Sequence, residues 1–125
     1  MILAKDLDVF NSKYDFTDSI VTDINWDSNL LDLLVTLDYY WDIPEENNKL
    51  TIRFKNCRET IFALPKAYES TPKSELQSYV YSWYTITNWM AVEESGLLRV
   101  NIKTVDDDPR WLTVLCDEIW LEQKQ

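Results

Sequence analysis

The sequence predicts a mainly β fold in which about seven antiparallel strands form a two-layer sandwich or a partly open barrel. Every odd-numbered residue over residues 31–41 is hydrophobic, and these alternate with Asp32, Thr36 and Asp38, which is the period of a strand with one buried face. A polar turn over residues 44–48 separates this segment from a second alternating run at residues 50–54, and the two predict a β-hairpin. The length of 125 residues fits a single domain over residues 1–125, with its core over about residues 16–122.

The same periodicities predict the elements on either side of this hairpin. A short N-terminal helix is indicated by apolar residues at helix-like spacing, namely Leu3, Leu7, Phe10 and Tyr14. A strand begins after Asp18 and ends at the turn cluster of residues 27–29. Residues 61–64 are predicted to form a short strand that ends at Pro65, and residues 66–77 are predicted to form the longest loop.

Two later segments carry apolar residues at both odd and even positions, as expected for strands that are covered on both faces. The first spans residues 78–94 and ends in a hairpin turn at Glu93–Gly96, where the only glycine of the chain suits a positive φ. An alternating run over residues 98–104 and a turn at Asp106–Pro109 follow. The second segment, residues 111–122, forms the last predicted strand.

The chain is strongly acidic, since 22 Asp and Glu residues face 12 Lys and Arg residues and give a net charge of −10 at pH 7. Such a field repels phosphate backbones and anionic lipids, so nucleic acids and membranes are not expected partners. It attracts basic protein surfaces and speeds encounter with them. An equally simple interpretation is that the acidity only keeps the protein soluble.

A cytoplasmic location is expected. The chain has no hydrophobic run long enough to cross a bilayer, and two acids interrupt its first eight residues, where a signal peptide would be apolar. Cys57 and Cys116 are the only cysteines, and a cytosolic pair is normally reduced. Both lie in apolar or strand-like contexts, which favours small core residues over redox or metal chemistry.

Residues that most enzymes need are missing from the sequence. There is no histidine, which removes the commonest general base near neutral pH and the commonest zinc ligand. A single glycine cannot form a phosphate-cradling loop. Asp106–Asp108 lacks the alternating ligands and central glycine of a calcium loop, so a solvated turn is the better interpretation. We therefore predict no catalytic residue, no cofactor and no metal, and an enzyme that uses carboxylates alone is the least favoured hypothesis.

Besides acidic residues, the chain is rich in aromatic residues, with six Trp, seven Tyr and four Phe. Four tryptophans are predicted to fill the core because their neighbours alternate, namely Trp26, Trp41, Trp111 and Trp120. The candidates for an exposed patch that binds a partner are Tyr79, Tyr81 and Trp83. The even-numbered side chains of the same segment would lie on the other face of a strand and could supply the core instead. Burial of both faces of that segment is the alternative.

Two segments resemble a group of small bacterial proteins. These proteins open with a Phe-x-Asp-Ser step that leads into a strand and a long alternating strand pair, and Phe16–Ile20 matches that step. Residues 115–122 are similar to their final strand, so the resemblance covers about residues 14–122. Thr17 stands where the group often has an aromatic residue or a histidine. Some related families are immunity proteins that neutralise toxins in interbacterial competition, and the resemblance implies no catalytic residue here.

The function predicted from these features is a non-catalytic protein-binding module, an immunity or inhibitor protein that neutralises a basic toxin domain. Toxins that cleave nucleic acids carry basic grooves, which an acidic protein can fill or cover. The acids expected to meet such a partner lie at one end or edge of the sheet, namely Asp38, Asp42, Glu93, Glu94, Asp106, Asp107 and Asp108. A carbohydrate-binding β-domain and a small domain with no dedicated ligand are the alternatives. Strand order and oligomeric state stay open at this point.

Overall fold

The computed structural model describes residues 1–41, 48–63, 70–104 and 111–123, with the side chains of residues 79–82 left aside. In this part of the chain the strands are β1 (Ile2–Ala4), β2 (Ile20–Trp26), β3 (Leu33–Asp38), β4 (Lys49–Lys55), β5 (Glu59–Phe62), β6 (Asn88–Glu94), β7 (Leu97–Lys103), β8 (Leu112–Cys116) and β9 (Glu118–Gln123). The helices are α1 (Leu7–Lys13), a 3-10 turn (Lys73–Glu75) and α2 (Leu76–Tyr84).

The strands form two antiparallel sheets. Sheet A has the order β1-β9-β4-β3-β2, and sheet B has the order β5-β8-β7-β6. Buried side chains from both sheets pack together between the layers. The predicted mainly β, two-layer fold is confirmed, and neither sheet closes into a barrel within the described ranges.

The hairpin predicted from the long alternation is present. β3 pairs with β4 in a register that runs from Leu33 opposite Phe54 to Asp38 opposite Lys49. The inward side chains of both strands are almost completely buried, namely Leu33, Val35, Leu37, Leu50, Ile52 and Phe54. β3 is shorter than the alternating segment, and most of the predicted turn between the two strands lies outside the described residues.

The prediction of one last strand over residues 111–122 is wrong, because the chain changes sheets at Asp117. β8 pairs with β5 and β7 in sheet B, whereas β9 pairs with β4 in sheet A. The parity of the buried side chains changes at this corner, from even numbers in β8 to odd numbers in β9. Apolar residues of both parities are thus explained by a bend between two half-buried strands, and not by one strand covered on two sides.

The prediction of one strand over residues 78–94 is also wrong, because its first half is the helix α2. Leu76, Trp83 and Tyr84 have the i, i+7, i+8 spacing of a helical apolar face. Pro72 is the N-cap residue of the 3-10 turn that leads into α2. β6 then begins at Asn88 and forms the predicted hairpin with β7, with Ser95 and Gly96 both at positive φ in the turn. None of the helices in the described ranges has the length and apolar character needed to cross a membrane.

The predicted N-terminal helix is present as α1, and the Asp6 carboxylate caps it by accepting a hydrogen bond from the Asp8 N–H at 2.8 Å.

A β-bulge in β2 changes the predicted pattern of that strand. The pairing of β2 with β3 skips Thr22 between Val21 and Asp23. Val21 is therefore buried, and Ile24, three residues later, also packs against the core.

Only one of the four tryptophans assigned to the core lies there. Trp111 is buried, but Trp26 is 41% exposed and Trp41 is 37% exposed. Trp26 ends β2 and Trp41 lies beyond the end of β3, so the opposite sheet no longer covers either side chain. Trp120 points outward from sheet A, where two lysine ammonium groups lie 4.1 Å from its ring centre.

Both cysteines are free thiols, Cys116 fully buried and Cys57 half-buried. Burial raises the pKa of both thiols, that of Cys116 to about 12. Since the thiolate is the reactive species, we expect iodoacetamide at neutral pH to label Cys57 slowly and to leave Cys116 unlabelled in the folded protein. Intact-mass spectrometry with and without denaturant measures this. Labelling of Cys116 in the folded protein at the rate seen in denaturant would contradict the burial.

Candidate functional site

A cleft of about 700 Å³ lies between the α1–β2 connection, the end of β3 and the first half of β6. We call it the aromatic cleft, and its lining consists of residues 11–17, Tyr39, Trp41 and residues 88–91. Three segments that are far apart in the sequence meet here. A cleft of this volume is within the usual range for binding a small molecule or a side-chain anchor of a partner.

Phe16 is the centre of the aromatic cluster beneath the cleft. It is 1% exposed, and its ring centre lies 4.7 Å from that of Trp89 and 5.8 Å from that of Tyr39. The rings of Phe10 and Tyr14 are 6.1 and 6.2 Å away. These separations and tilts are those of favourable aromatic pairs, so the floor of the cleft is held by mutual packing of five rings.

The Phe-x-Asp-Ser step forms a tight turn that places Phe16 in this cluster. The Ser19 N–H donates to the Phe16 carbonyl at 3.2 Å, and Asp18 has a φ of 68°, as the third residue of a type II turn requires. Buried Ser19 accepts the N–H of Tyr40 on its Oγ at 3.1 Å. Backbone bonds of 2.8 Å join Asp18 and Ser19 to Ile86. The step therefore ties the chain to the end of β3 and to the segment before β6.

Trp41 forms one wall of the cleft and is partly open to solvent. Its indole N–H donates to the Thr17 carbonyl at 2.9 Å, and the Tyr40 ring meets it edge to face with the ring centres 4.7 Å apart. The Tyr39 hydroxyl accepts the N–H of Asp15 at 3.0 Å. These hydrogen bonds hold the end of β3 against the α1–β2 connection.

The polar groups of the cleft are mostly uncharged. The Asn11 amide donates to the Ala91 carbonyl at 3.2 Å, and Lys13 Nζ lies 5.9 Å from the Tyr14 ring centre. Asp15 accepts two bonds from Thr17, at 3.0 Å from the N–H and 2.6 Å from the hydroxyl.

Asp15 is the sole carboxylate among the described lining residues, whereas glycoside hydrolysis uses a pair of carboxylates. In the described part of the chain, no three His, Cys, Asp or Glu residues are grouped so as to hold a metal ion. The aromatic rings of the lining can stack on a ligand, and its amides, hydroxyls, Lys13 and Asp15 can form hydrogen bonds with it.

Three of the seven acids predicted to meet a partner lie in the described part of the chain, namely Asp38, Glu93 and Glu94. Asp38 forms an ion pair of 3.0 Å with Lys49, and Glu94 forms one of 2.7 Å with Arg99. Glu93 is exposed and pairs with no cation among the described residues. Asp42, Asp106, Asp107 and Asp108 lie outside the described ranges.

One of the three residues predicted to form an exposed aromatic patch is buried. Trp83 is 5% exposed, which contradicts its assignment to an exposed surface. Tyr79 and Tyr81 lie in α2 and not in a strand, and their side chains are outside the description. A strand would place residues 79, 81 and 83 on one face, and the chain forms a helix there instead.

Sequence reasoning missed the residues that line the cleft, above all Tyr14, Asp15, Trp89 and Met90. The periodicity that includes Tyr14 predicts a helix and gives no sign of a cleft, and Trp89 and Met90 fall within the segment predicted as one long strand. One signal was available: polar residues cluster between Phe10 and Phe16, which is unusual between two buried rings.

The fold is similar to that of a protein from Neisseria gonorrhoeae. No protein-family model and no curated protein matches the sequence. The crystal structure of an uncharacterized protein from Neisseria gonorrhoeae superimposes with a TM-score of 0.62 and 13% sequence identity, covering 86% of this chain and 93% of that chain. At this identity the similarity establishes a shared fold over most of both chains.

Proposed function

We propose that this protein is a non-catalytic binding module for a basic protein partner, of the immunity or inhibitor type. The observation that carries the proposal is the aromatic cleft, whose described residues offer stacking and hydrogen bonds. A stoichiometric inhibitor needs a rigid surface for its partner and no reacting groups. The resemblance at the Phe-x-Asp-Ser step points to the same type of function.

The rim of the cleft has the composition of a protein-binding surface. Trp41 is 37% exposed beside Tyr40, which is 62% exposed, and Met90 is 53% exposed on the opposite wall. Tryptophan, tyrosine and methionine are enriched in protein interfaces, and tryptophan and tyrosine often dominate the binding energy. The cleft therefore suits an apolar or cationic side chain that anchors a partner.

Charge around the cleft favours a basic partner. Asp8 on α1 and Asp15 and Asp18 in the α1–β2 connection are exposed, and none of them pairs with a cation among the described residues. The chain as a whole carries a net charge of −10. Such a field accelerates association with a basic surface, and this acceleration weakens as salt is added.

The proposal is tested by replacing Trp41 with alanine. Partners are captured from a lysate of the source organism and identified, and the strongest basic binder is then purified. We expect the W41A variant to raise the dissociation constant for this purified protein about tenfold or more, because it removes an aromatic anchor. Isothermal titration calorimetry at low and high salt measures the affinity and its salt dependence.

Trp26 provides the matched control, because it is an equally exposed tryptophan at the opposite end of sheet A. We expect the W26A variant to bind like the unmodified protein. Equal loss of affinity in both variants would contradict the aromatic cleft as the binding site. Capture of acidic or neutral proteins alone, with no dependence on salt, would contradict the basic partner.

Carbohydrate binding is a second candidate, and one observation favours it. The rings of Tyr14, Trp41 and Trp89 share the cleft with the amides of Asn11 and Asn88, and a sugar could stack on such rings while the amides bind its hydroxyls. Titration with a panel of oligosaccharides would then change the tryptophan fluorescence of the protein, and W41A would lose the change. A neutral sugar would bind equally at low and high salt, which distinguishes it from a basic protein.

A further inference from the structure

The edge strands of the two sheets differ in how they are protected. β1 is three residues long and has an irregular register. β2 carries a bulge and is bridged to Thr85 at Ile20, and the Asn11 amide covers the edge of β6 at Ala91. β5 pairs with β8 on one side, and no described segment pairs with its other side. An uncovered edge strand is a template for pairing with another chain.

β5 exposes large apolar side chains. Ile61 is 53% exposed and Phe62 is 47% exposed. Glu59 at the start of the strand forms an ion pair with Arg99 of β7, with 3.8 Å between the charged atoms. The middle of β5 therefore carries no charge that would prevent another strand from approaching.

The register of β5 determines which backbone groups face the free edge. Ile61 lies opposite Thr113, and the Ala63 N–H donates to the Trp111 carbonyl at 3.0 Å. Bonded and non-bonded pairs alternate along an antiparallel ladder, so odd-numbered residues of β5 turn their N–H and C=O groups toward β8. Thr60 and Phe62 turn theirs toward the free edge.

We propose that two copies of this chain pair through β5, antiparallel and with Ile61 on the two-fold axis. Thr60 of each copy then forms a bonded pair with Phe62 of the other, so all outward backbone groups of the strand are used. Ile61 packs on Ile61 of the second copy, as the symmetry of a two-fold interface requires. Sheet B becomes one sheet of eight strands across the dimer, extending the four in each copy.

The charges around β5 are compatible with this self-pairing. In the proposed register Glu59 lies opposite Ala63 of the second copy, so no like charges face each other. A register centred on Thr60 would instead pair Phe62 with Arg58, which lies in the bend that follows β4. β5 and β6 are opposite edges of sheet B, so the pairing leaves the aromatic cleft open and does not depend on the proposed function.

Cysteine cross-linking tests the register directly. Residues opposite each other in a non-bonded antiparallel pair have Cα atoms about 4.5 Å apart, which is within the range for a disulfide. In a Cys57→Ala background, we expect mild oxidation of the Ile61→Cys variant to give a covalent dimer on a non-reducing gel. The control is Glu59→Cys on the same face of β5, because its two copies would lie about 13 Å apart along the strands and cannot be bridged.

The oligomeric state in solution is the second measurement. We expect sedimentation equilibrium to give the mass of two chains for the unmodified protein and of one chain for Ile61→Lys. The lysine side chains would face each other across the axis, and the exposure of residue 61 lets the variant keep its fold, as circular dichroism would verify. A single-chain mass for the unmodified protein at every concentration, or equal cross-linking of the two cysteine variants, would overturn the proposal.

Discussion

Replacing Phe16 with alanine is expected to lower the free energy of unfolding by about 3–5 kcal/mol, the usual range for removing a buried phenylalanine. The Phe16 ring lies among those of Phe10, Tyr14, Tyr39 and Trp89. The turn that follows it is tied by backbone bonds to distant segments, so the neighbours cannot close fully over the cavity. Urea unfolding followed by circular dichroism measures the change.

Two variants serve as controls for this prediction. Phe16→Leu keeps most of the buried volume and should cost about 1 kcal/mol. Tyr40→Ala removes a ring that is 62% exposed and should cost less than about 1 kcal/mol. If F16A were no more destabilised than Y40A, the ring cluster would not be what holds the cleft together.

Replacing Arg53 with alanine is expected to have the second-largest effect, a loss of about 2 kcal/mol, between the values for surface and buried ion pairs. The guanidinium of Arg53 lies 2.6 Å from Asp27, 3.2 Å from Asp32 and 2.7 Å from Glu122. Asp32 is 3% exposed, and its other oxygen accepts the Asn56 N–H at 3.1 Å. The variant therefore leaves a buried carboxylate without its cation.

Arg58→Ala is the matched control, since the ion pair between Arg58 and Asp117 is 3.1 Å long and Arg58 is largely exposed. We expect it to cost less than about 1 kcal/mol in the same urea experiment. Equal losses in R53A and R58A would contradict the importance of Asp32 burial.

The effect of Arg53 should also depend on pH. Its hydrogen bond to Asp27 lowers the pKa of that carboxyl below its ordinary value. A carboxyl whose pKa is lower in the folded state stabilises the fold above its unfolded pKa, and this contribution is lost as the pH falls through the folded value. We therefore expect the difference in stability between the unmodified protein and R53A to shrink as the pH falls below about 4. A difference that stays constant down to acid unfolding would contradict this linkage.

The aromatic cleft lies at the β6 edge of sheet B, and β5 forms the opposite edge of the same sheet. A dimer paired through β5 would carry two clefts, and a partner with two copies of its basic surface would gain avidity without any new contact. Binding of the purified partner by the Ile61→Lys monomer separates the two proposals, because the cleft in that variant is unchanged.

Several elements of the fold follow from the sequence alone, because their signals are local. The alternation over residues 31–41 specifies a strand with one buried side, and the run over residues 50–54 specifies its hairpin partner. The turn at Ser95 and Gly96 follows from the single glycine. The spacing of Leu7, Phe10 and Tyr14 indicated α1 in the same way.

The tertiary structure decided which faces are covered, and periodicity cannot encode that. The bend at Asp117 moves the chain from sheet B to sheet A, so two short strands look like one strand with two apolar faces. α2 precedes β6 in a stretch whose aromatic residues suit either element. Trp41 continues the alternation of β3 and is nevertheless exposed, because the sandwich ends before it. The aromatic cleft joins residues 11–17, Tyr39, Trp41 and residues 88–91, and such distant segments meet only when both sheets pack on one core.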